Sequence, residues 1–113
     1  MQENDYEPAL GFDINAYLIT APHANYFFQV SGSSMQEAGI RDGDKVAVDR
    51  SLKAKSGDIV IAVINKGFTI KRLYRKNGIT ELRPENEAFK PIRIQDGDDL
   101  EIWGVVTGMV RRY

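Results

Sequence analysis

The run Ile59-Val60-Ile61-Ala62-Val63-Ile64, opened by Gly57-Asp58, sets the strictest limit on what this chain can fold into. β-Branched side chains favour extended backbone, and a stretch with no polar alternation has to be covered on both faces. It is therefore the expected central strand. Asn65-Lys66-Gly67 turns the chain back into Phe68-Thr69-Ile70-Lys71-Arg72-Leu73-Tyr74 through a short glycine-containing loop, and Asn77-Gly78 turns it again into Ile79-Thr80-Glu81-Leu82-Arg83. Three hairpin-linked strands make a meander.

The flanking segments extend this sheet. Tyr26-Phe27-Phe28-Gln29-Val30 is an aromatic and β-branched strand, and Lys45-Val46-Ala47-Val48-Asp49 alternates polar with apolar, predicting a half-buried strand after the Asp42-Gly43-Asp44 turn. Pro84-Glu85-Asn86 interrupts the pairing, and Pro91-Ile92-Arg93-Ile94 reads as a short strand. Asp96-Gly97-Asp98 then turns the chain into the last apolar run, Leu100 to Val106 and on to Val110. Asp13 is a suitable N-cap for a short helix through Ile19, ended by Ala21-Pro22 and expected to lie as a lid on the sheet. A helical turn from Met35 to Ala38 is closed by Gly39. The expected fold is mostly β, a compact curled antiparallel sheet with one or two short helices. Residues 1–12, polar and without periodicity, form a flexible arm, and residues 13–113 form one domain.

Composition removes several chemistries. The 113 residues contain no cysteine, which excludes disulfides, thiolate metal sites and cysteine nucleophiles. Fifteen basic residues against sixteen acidic ones leave a net charge of −1, so nothing drives electrostatic capture of nucleic acid, and any link to DNA runs through a protein partner. His23, the single histidine, sits in a loop with no second ligand or carboxylate beside it and is assigned no chemistry. Asp96, Asp98 and Asp99 lack the spacing of a calcium loop and serve the turn; no metal or cofactor is expected. No apolar run reaches bilayer length and the N-terminus is acidic, which predicts a soluble cytoplasmic protein without a membrane partner.

What remains is serine and lysine chemistry. Ser34, in Ser31-Gly32-Ser33-Ser34-Met35, falls where a strand breaks into a tight turn, a corner that can present a hydroxyl to a cleft. A serine nucleophile without histidine or cysteine needs another base, and lysine is the available candidate. Lys71 stands among Phe68, Ile70, Leu73 and Tyr74, where burial lowers the pKa of an ammonium and the neighbouring cation Arg72 adds to the effect. To be neutral near pH 7 it must fall by about three units, or about 4 kcal/mol of differential desolvation. Neutral Lys71 can then take the Ser34 proton while backbone N–H groups of Ser34 and Met35 hold the developing oxyanion. Alternation puts Lys71 on one face with Thr69 and Leu73, opposite Phe68 and Ile70, and leaves open which face meets Ser34.

Taken together, these stretches resemble the LexA/UmuD family of serine-lysine self-cleaving proteins. The resemblance runs over about residues 13–107 and rests on Tyr26-Phe27, Ser31 to Met35, Gly39-Ile40 with Asp42-Gly43-Asp44, Val48-Asp49, Gly57 to Val60, and Phe68 to Leu73. It implies Ser34 as nucleophile and Lys71 as general base, 37 residues apart as in the family. Asp13-Ile14-Asn15, Leu18-Ile19, Pro22, Leu82-Arg83-Pro84 with Asn86, Pro91-Ile92 and Trp103 to Val106 are similar to the UmuD branch, and no helix-turn-helix segment is present.

That branch implies a cytoplasmic homodimer of the SOS response without sequence-specific DNA binding of its own. It cleaves its N-terminal arm when stimulated by a RecA filament on single-stranded DNA. The shortened dimer then joins a Y-family, UmuC-like subunit in an error-prone translesion polymerase of the polymerase V type. Family cleavage sites, Ala-Gly or Cys-Gly about 35 residues before the serine, would fall near or before Met1, and Ala38-Gly39 belongs to the turn. The expectation is a processed form that keeps the dyad, with the long C-terminal strand as a candidate dimer surface. The alternative is the cleavage and dimerisation domain of a LexA-like or phage repressor, which a helix-turn-helix upstream would distinguish.

Overall fold

The computed structural model describes residues 5, 7–19, 21 and 23–113. Residues 1–4 and 6 of the expected arm, and Pro22 of the expected helix stop, lie outside the described residues. Among those described, a helix, α1 (Ile14–Leu18), precedes seven strands: β1 (Asn25–Gln29), β2 (Lys45–Asp49), β3 (Ile59–Ile64), β4 (Gly67–Lys76), β5 (Ile79–Arg83), β6 (Ile92–Arg93) and β7 (Leu100–Val110). They form one sheet in the order β1-β2-β7-β3-β4-β5-β6, antiparallel at every pair.

β3 occupies the middle of that order and is covered on both faces, as its uninterrupted apolar run requires. Ile61 joins Val30, Met35, Ile40, Val46 and Val48 in one core, while Val60 and Ala62 point the other way to meet Leu73, Leu82 and Val105. The period of two thus distributes one strand between two cores. β3, β4 and β5 pair in succession as the expected meander, and β7 closes the sheet between β2 and β3, with register shifts at Ala47/Val48 and Ile61/Ala62. Such irregularities bend and twist a sheet. At Gly104 on β7 a Cβ would come within 2.6 Å of Val48 Cγ1, so this close strand crossing needs glycine.

Three expectations change. β2 is not half-buried: only Lys45 is exposed, while Val46, Ala47, Val48 and Asp49 are all buried, because β2 lies between β1 and β7 and beyond Lys45 its second face carries a small alanine and a hydrogen-bonded aspartate. Asp49 Oδ1 accepts from the N–H of Ser51 at 2.7 Å and from Ser51 Oγ at 2.6 Å. α1 starts where expected, with Asp13 Oδ1 accepting from the N–H groups of Asn15 and Ala16, but it is no lid. Its five residues are too few to present a broad apolar face, none is buried, and Leu18 lies over Gly108 of the sheet. In the β3–β4 hairpin Gly67 pairs with Ile64, so the positive φ angles fall on Asn65 (48°) and Lys66 (72°) rather than on the glycine.

Candidate active site

Ser34 is held by its backbone and leaves its side chain to the cleft. Leaving β1, Val30 donates its N–H to Asp44 O at 2.7 Å and accepts at its carbonyl from Gly43 N–H at 2.8 Å. Gly32, at φ 87°, donates to Asp42 Oδ1 at 2.7 Å. The Asp-Gly-Asp turn therefore does more than lead into β2: it fastens the strand end from which the serines hang. Met35 follows, 1% exposed and packed in the first core, an anchor directly after Ser34. A 3-10 turn, Gln36–Ala38, then ends on Gly39 in the left-handed region, φ 82°, one residue shorter than the expected helical turn.

Two contacts complete the corner. The Ser34 carbonyl accepts from the N–H of Glu85 at 2.8 Å, and the Ser33 carbonyl from Asn86 Nδ2 at 2.9 Å. By contrast, the N–H groups of Ser34 and Met35 donate to no other described residue.

β4 brings Lys71 to this corner. Its Nζ lies 3.0 Å from Ser34 Oγ, 2.7 Å from Thr69 Oγ1 and 3.0 Å from the Ile70 carbonyl. The question left open by alternation is thereby answered: the face carrying Thr69 and Lys71 meets Ser34. Three acceptors match the three N–H bonds of an ammonium; a neutral amine keeps two N–H donors and has a lone pair to receive a hydroxyl proton. The residue is 9% exposed, and among the described residues no carboxylate pairs with it. Burial without a counter-charge pushes its pKa down from the ordinary 10.5.

The surroundings differ in part from those read in the sequence. A cleft of about 200 Å³ is lined by Ser34 and Lys71 together with the apolar residues Phe28, Val46, Phe68 and Ile70. Leu73 instead packs in the second core, and Tyr74 lies under the Arg83 guanidinium, 3.5 Å from its ring centroid. Arg72 does not bear on Lys71: successive residues of a strand face opposite ways, and its guanidinium pairs with Glu85 and donates to the Gly57 carbonyl. His23 is exposed in the turn before β1. Among the described residues no group of three or more His, Cys, Asp or Glu side chains is placed to hold a metal ion.

Sequence reasoning passed over Thr69, Asn86 and Glu85 as site residues. Thr69 carried a usable signal, since residues two apart on a strand share a face. Asn86 entered only as part of the resemblance and Glu85 carried no signal, because only tertiary folding brings the β5–β6 connection to Ser33 and Ser34.

Residues 1–107 match the Peptidase S24-like family. The chain belongs to this family. Its relatives put it in the LexA/UmuD group of S24 proteins: it is 44% identical over 106 residues to protein MucA of Salmonella typhimurium, covering 88% of this chain and 72% of that protein. The LexA repressor of Bordetella parapertussis is 44% identical over 87 residues, and that of Sodalis glossinidius 43% identical over 91. Against these S24 repressors the match covers 77% and 80% of this chain but only 40% and 45% of their own length. No described helix of this S24 domain is long and apolar enough to cross a membrane.

Proposed function

We propose that this chain is a UmuD-like SOS-response protein acting as a serine-lysine autopeptidase, with residues 13–113 as its peptidase domain. One observation carries the reading: a buried lysine, with no acidic partner among the described residues, has its Nζ 3.0 Å from a serine hydroxyl in an open cleft. Neutral Lys71 takes the proton as Ser34 Oγ attacks the carbonyl carbon of the scissile bond. The tetrahedral oxyanion is received by the unengaged N–H groups of Ser34 and Met35. The Lys71 ammonium returns the proton to the leaving amine and the C–N bond breaks; neutral Lys71 then deprotonates a water that attacks the acyl carbon, and the proton passes to Ser34 Oγ as the ester bond breaks.

Cleavage of a peptide containing an Ala-Gly bond, supplied in trans, tests this. Wild type should cut it faster as pH rises, and Ser34→Ala and Lys71→Ala should reduce cutting to background. Undiminished cutting by either variant removes the assignment.

The biological setting belongs to the same proposal. The protein acts in the cytoplasm as a homodimer, a RecA filament on single-stranded DNA stimulates cleavage, and the shortened dimer serves a Y-family, UmuC-like subunit of a polymerase V type enzyme. The match to MucA over 88% of this chain supports this choice. Ser34→Ala in the short form should keep that accessory role in a translesion assay. The LexA matches, at 44% and 43% identity, support the second reading, a repressor's cleavage and dimerisation domain. A helix-turn-helix encoded upstream would decide for it.

A further inference from the structure

We infer that Glu85 and Asn86 are positioning residues for Ser34, and that β4 holds the nucleophile from two sides, directly by Lys71 and through the Arg72–Glu85 pair. The inference deepens the Ser34–Lys71 reading and rests on it. On one side, Lys71 Nζ meets Ser34 Oγ at 3.0 Å. On the other, Arg72, the next residue of β4, pairs with the Glu85 carboxylate and donates to the Gly57 carbonyl at 2.6 Å. Glu85 in turn donates its N–H to the Ser34 carbonyl and accepts at its own carbonyl from Glu37 N–H, both at 2.8 Å. Asn86 Nδ2 donates to the Ser33 carbonyl at 2.9 Å. Strand alternation makes this possible, since Lys71 and Arg72 leave β4 on opposite faces.

The consequence is chemical. An oxyanion hole works only when its donors are fixed before charge develops. The two peptide carbonyls on the N-terminal side of those donors, Ser33 O and Ser34 O, are both tied to the β5–β6 connection. The peptide planes joining Ser33 to Ser34 and Ser34 to Met35 are therefore each pinned at the oxygen, which fixes where the N–H of Ser34 and of Met35 point. A conformational slip at this corner would misdirect both donors and shift Oγ from Nζ.

Asn86→Asp separates this role from plain loop stability. Asn86 Oδ1 accepts from Ala88 N–H at 3.0 Å, a bond the aspartate keeps, while the donation to Ser33 O is lost and only the longer 3.2 Å bond from Gln36 N–H is left on that carbonyl. Two quantities are measured: kcat and KM for the Ala-Gly peptide up to the high-pH plateau, and amide hydrogen exchange at Glu37 and Glu85. The plateau removes any effect of the new carboxylate on the ionisation of Lys71. The expected result is a plateau kcat lower by about tenfold or more with KM unchanged, and faster exchange at Glu37 and Glu85 but not at Val60 or Ile61 of β3. A wild-type plateau kcat overturns the inference, whatever the exchange shows. Ser34→Ala, measured in parallel, reads the dyad separately. If wild type itself cuts no peptide the dyad reading falls, and unchanged exchange in Asn86→Asp then overturns the clamp independently.

Discussion

Lys71 donates to Thr69 Oγ1 across 2.7 Å, a shorter contact than the 3.0 Å between its Nζ and Ser34 Oγ. The threonine thus holds the amine in place, and the serine lies within its reach. Accepting from Nζ also favours the charged form of the lysine, so Thr69 opposes part of what burial does. Thr69→Val should shift the acid limb of the rate profile to lower pH, because the ammonium loses an acceptor. The plateau should fall by about tenfold as the amine loses its tether. A pH–rate series reads both, and a profile identical to wild type would make Thr69 a bystander.

Burial of Lys71 also makes folding stability depend on pH. Its folded pKa lies below the ordinary 10.5, so between the two values the unfolded chain binds more protons and stability rises with pH. The penalty is complete below the folded value and gone near 10.5. Lys71→Met removes it. The stability of the variant relative to wild type, from urea titrations, should therefore decline as pH rises from the folded value toward 10.5.

The reverse sign holds for Asp44, which is 2% exposed. The hydrogen bonds from Arg111, foremost, and from the Arg41 N–H hold its carboxyl down at about 2, against an ordinary 3.8. Its contribution to stability is complete above 3.8 and is lost as pH falls toward about 2. Arg111 Nε and Nη2 each lie 2.7 Å from a carboxylate oxygen, and Nη2 also donates to the Gly39 carbonyl at 2.8 Å. Arg111→Ala should cost about 1–3 kcal/mol at pH 7 and progressively less toward pH 2. Denaturant midpoints at the two pH values check this.

Lys66 is strained where a glycine would not be. It sits at φ 72° in a two-residue hairpin loop, with Asn65 at 48° before it, the pair of positive angles that favours Asn-Gly. Lys66→Gly should stabilise the fold by about 0.5–1 kcal/mol, the left-handed cost of a side chain less the extra freedom a glycine loses. A rise in thermal midpoint of a few degrees is the expected reading.

How much of this was legible in the sequence follows from the range of each signal. Ile59 to Ile64 announced a strand buried on both faces because the absence of alternation is itself a local pattern. Asn77-Gly78 fixed its hairpin because a two-residue loop demands those angles, and they are 53° and 77° in the structure. Asp49 misled, because an aspartate read as an outward residue is instead buried and hydrogen-bonded to Ser51. Ser34 stood out as a corner and Lys71 as a lysine in apolar company. Their 3.0 Å meeting spans 37 residues; the absence of another base raised the pairing, and family resemblance rather than local pattern made it the favoured one. The second hold on Ser34, from Glu85 and Asn86, had no sequence trace because it depends on where the β5–β6 connection folds back.

The most direct test of the central claim is the ionisation of Lys71 itself, followed by NMR through its ε-carbon in lysine-labelled protein from pH 6 to 11. The account predicts that Lys71 titrates well below the other lysines, with a midpoint that coincides with the acid limb of peptide cleavage. A Lys71 that titrates with the others near its ordinary 10.5 would contradict the account, because the amine beside Ser34 would then be charged at neutral pH and unable to accept its proton.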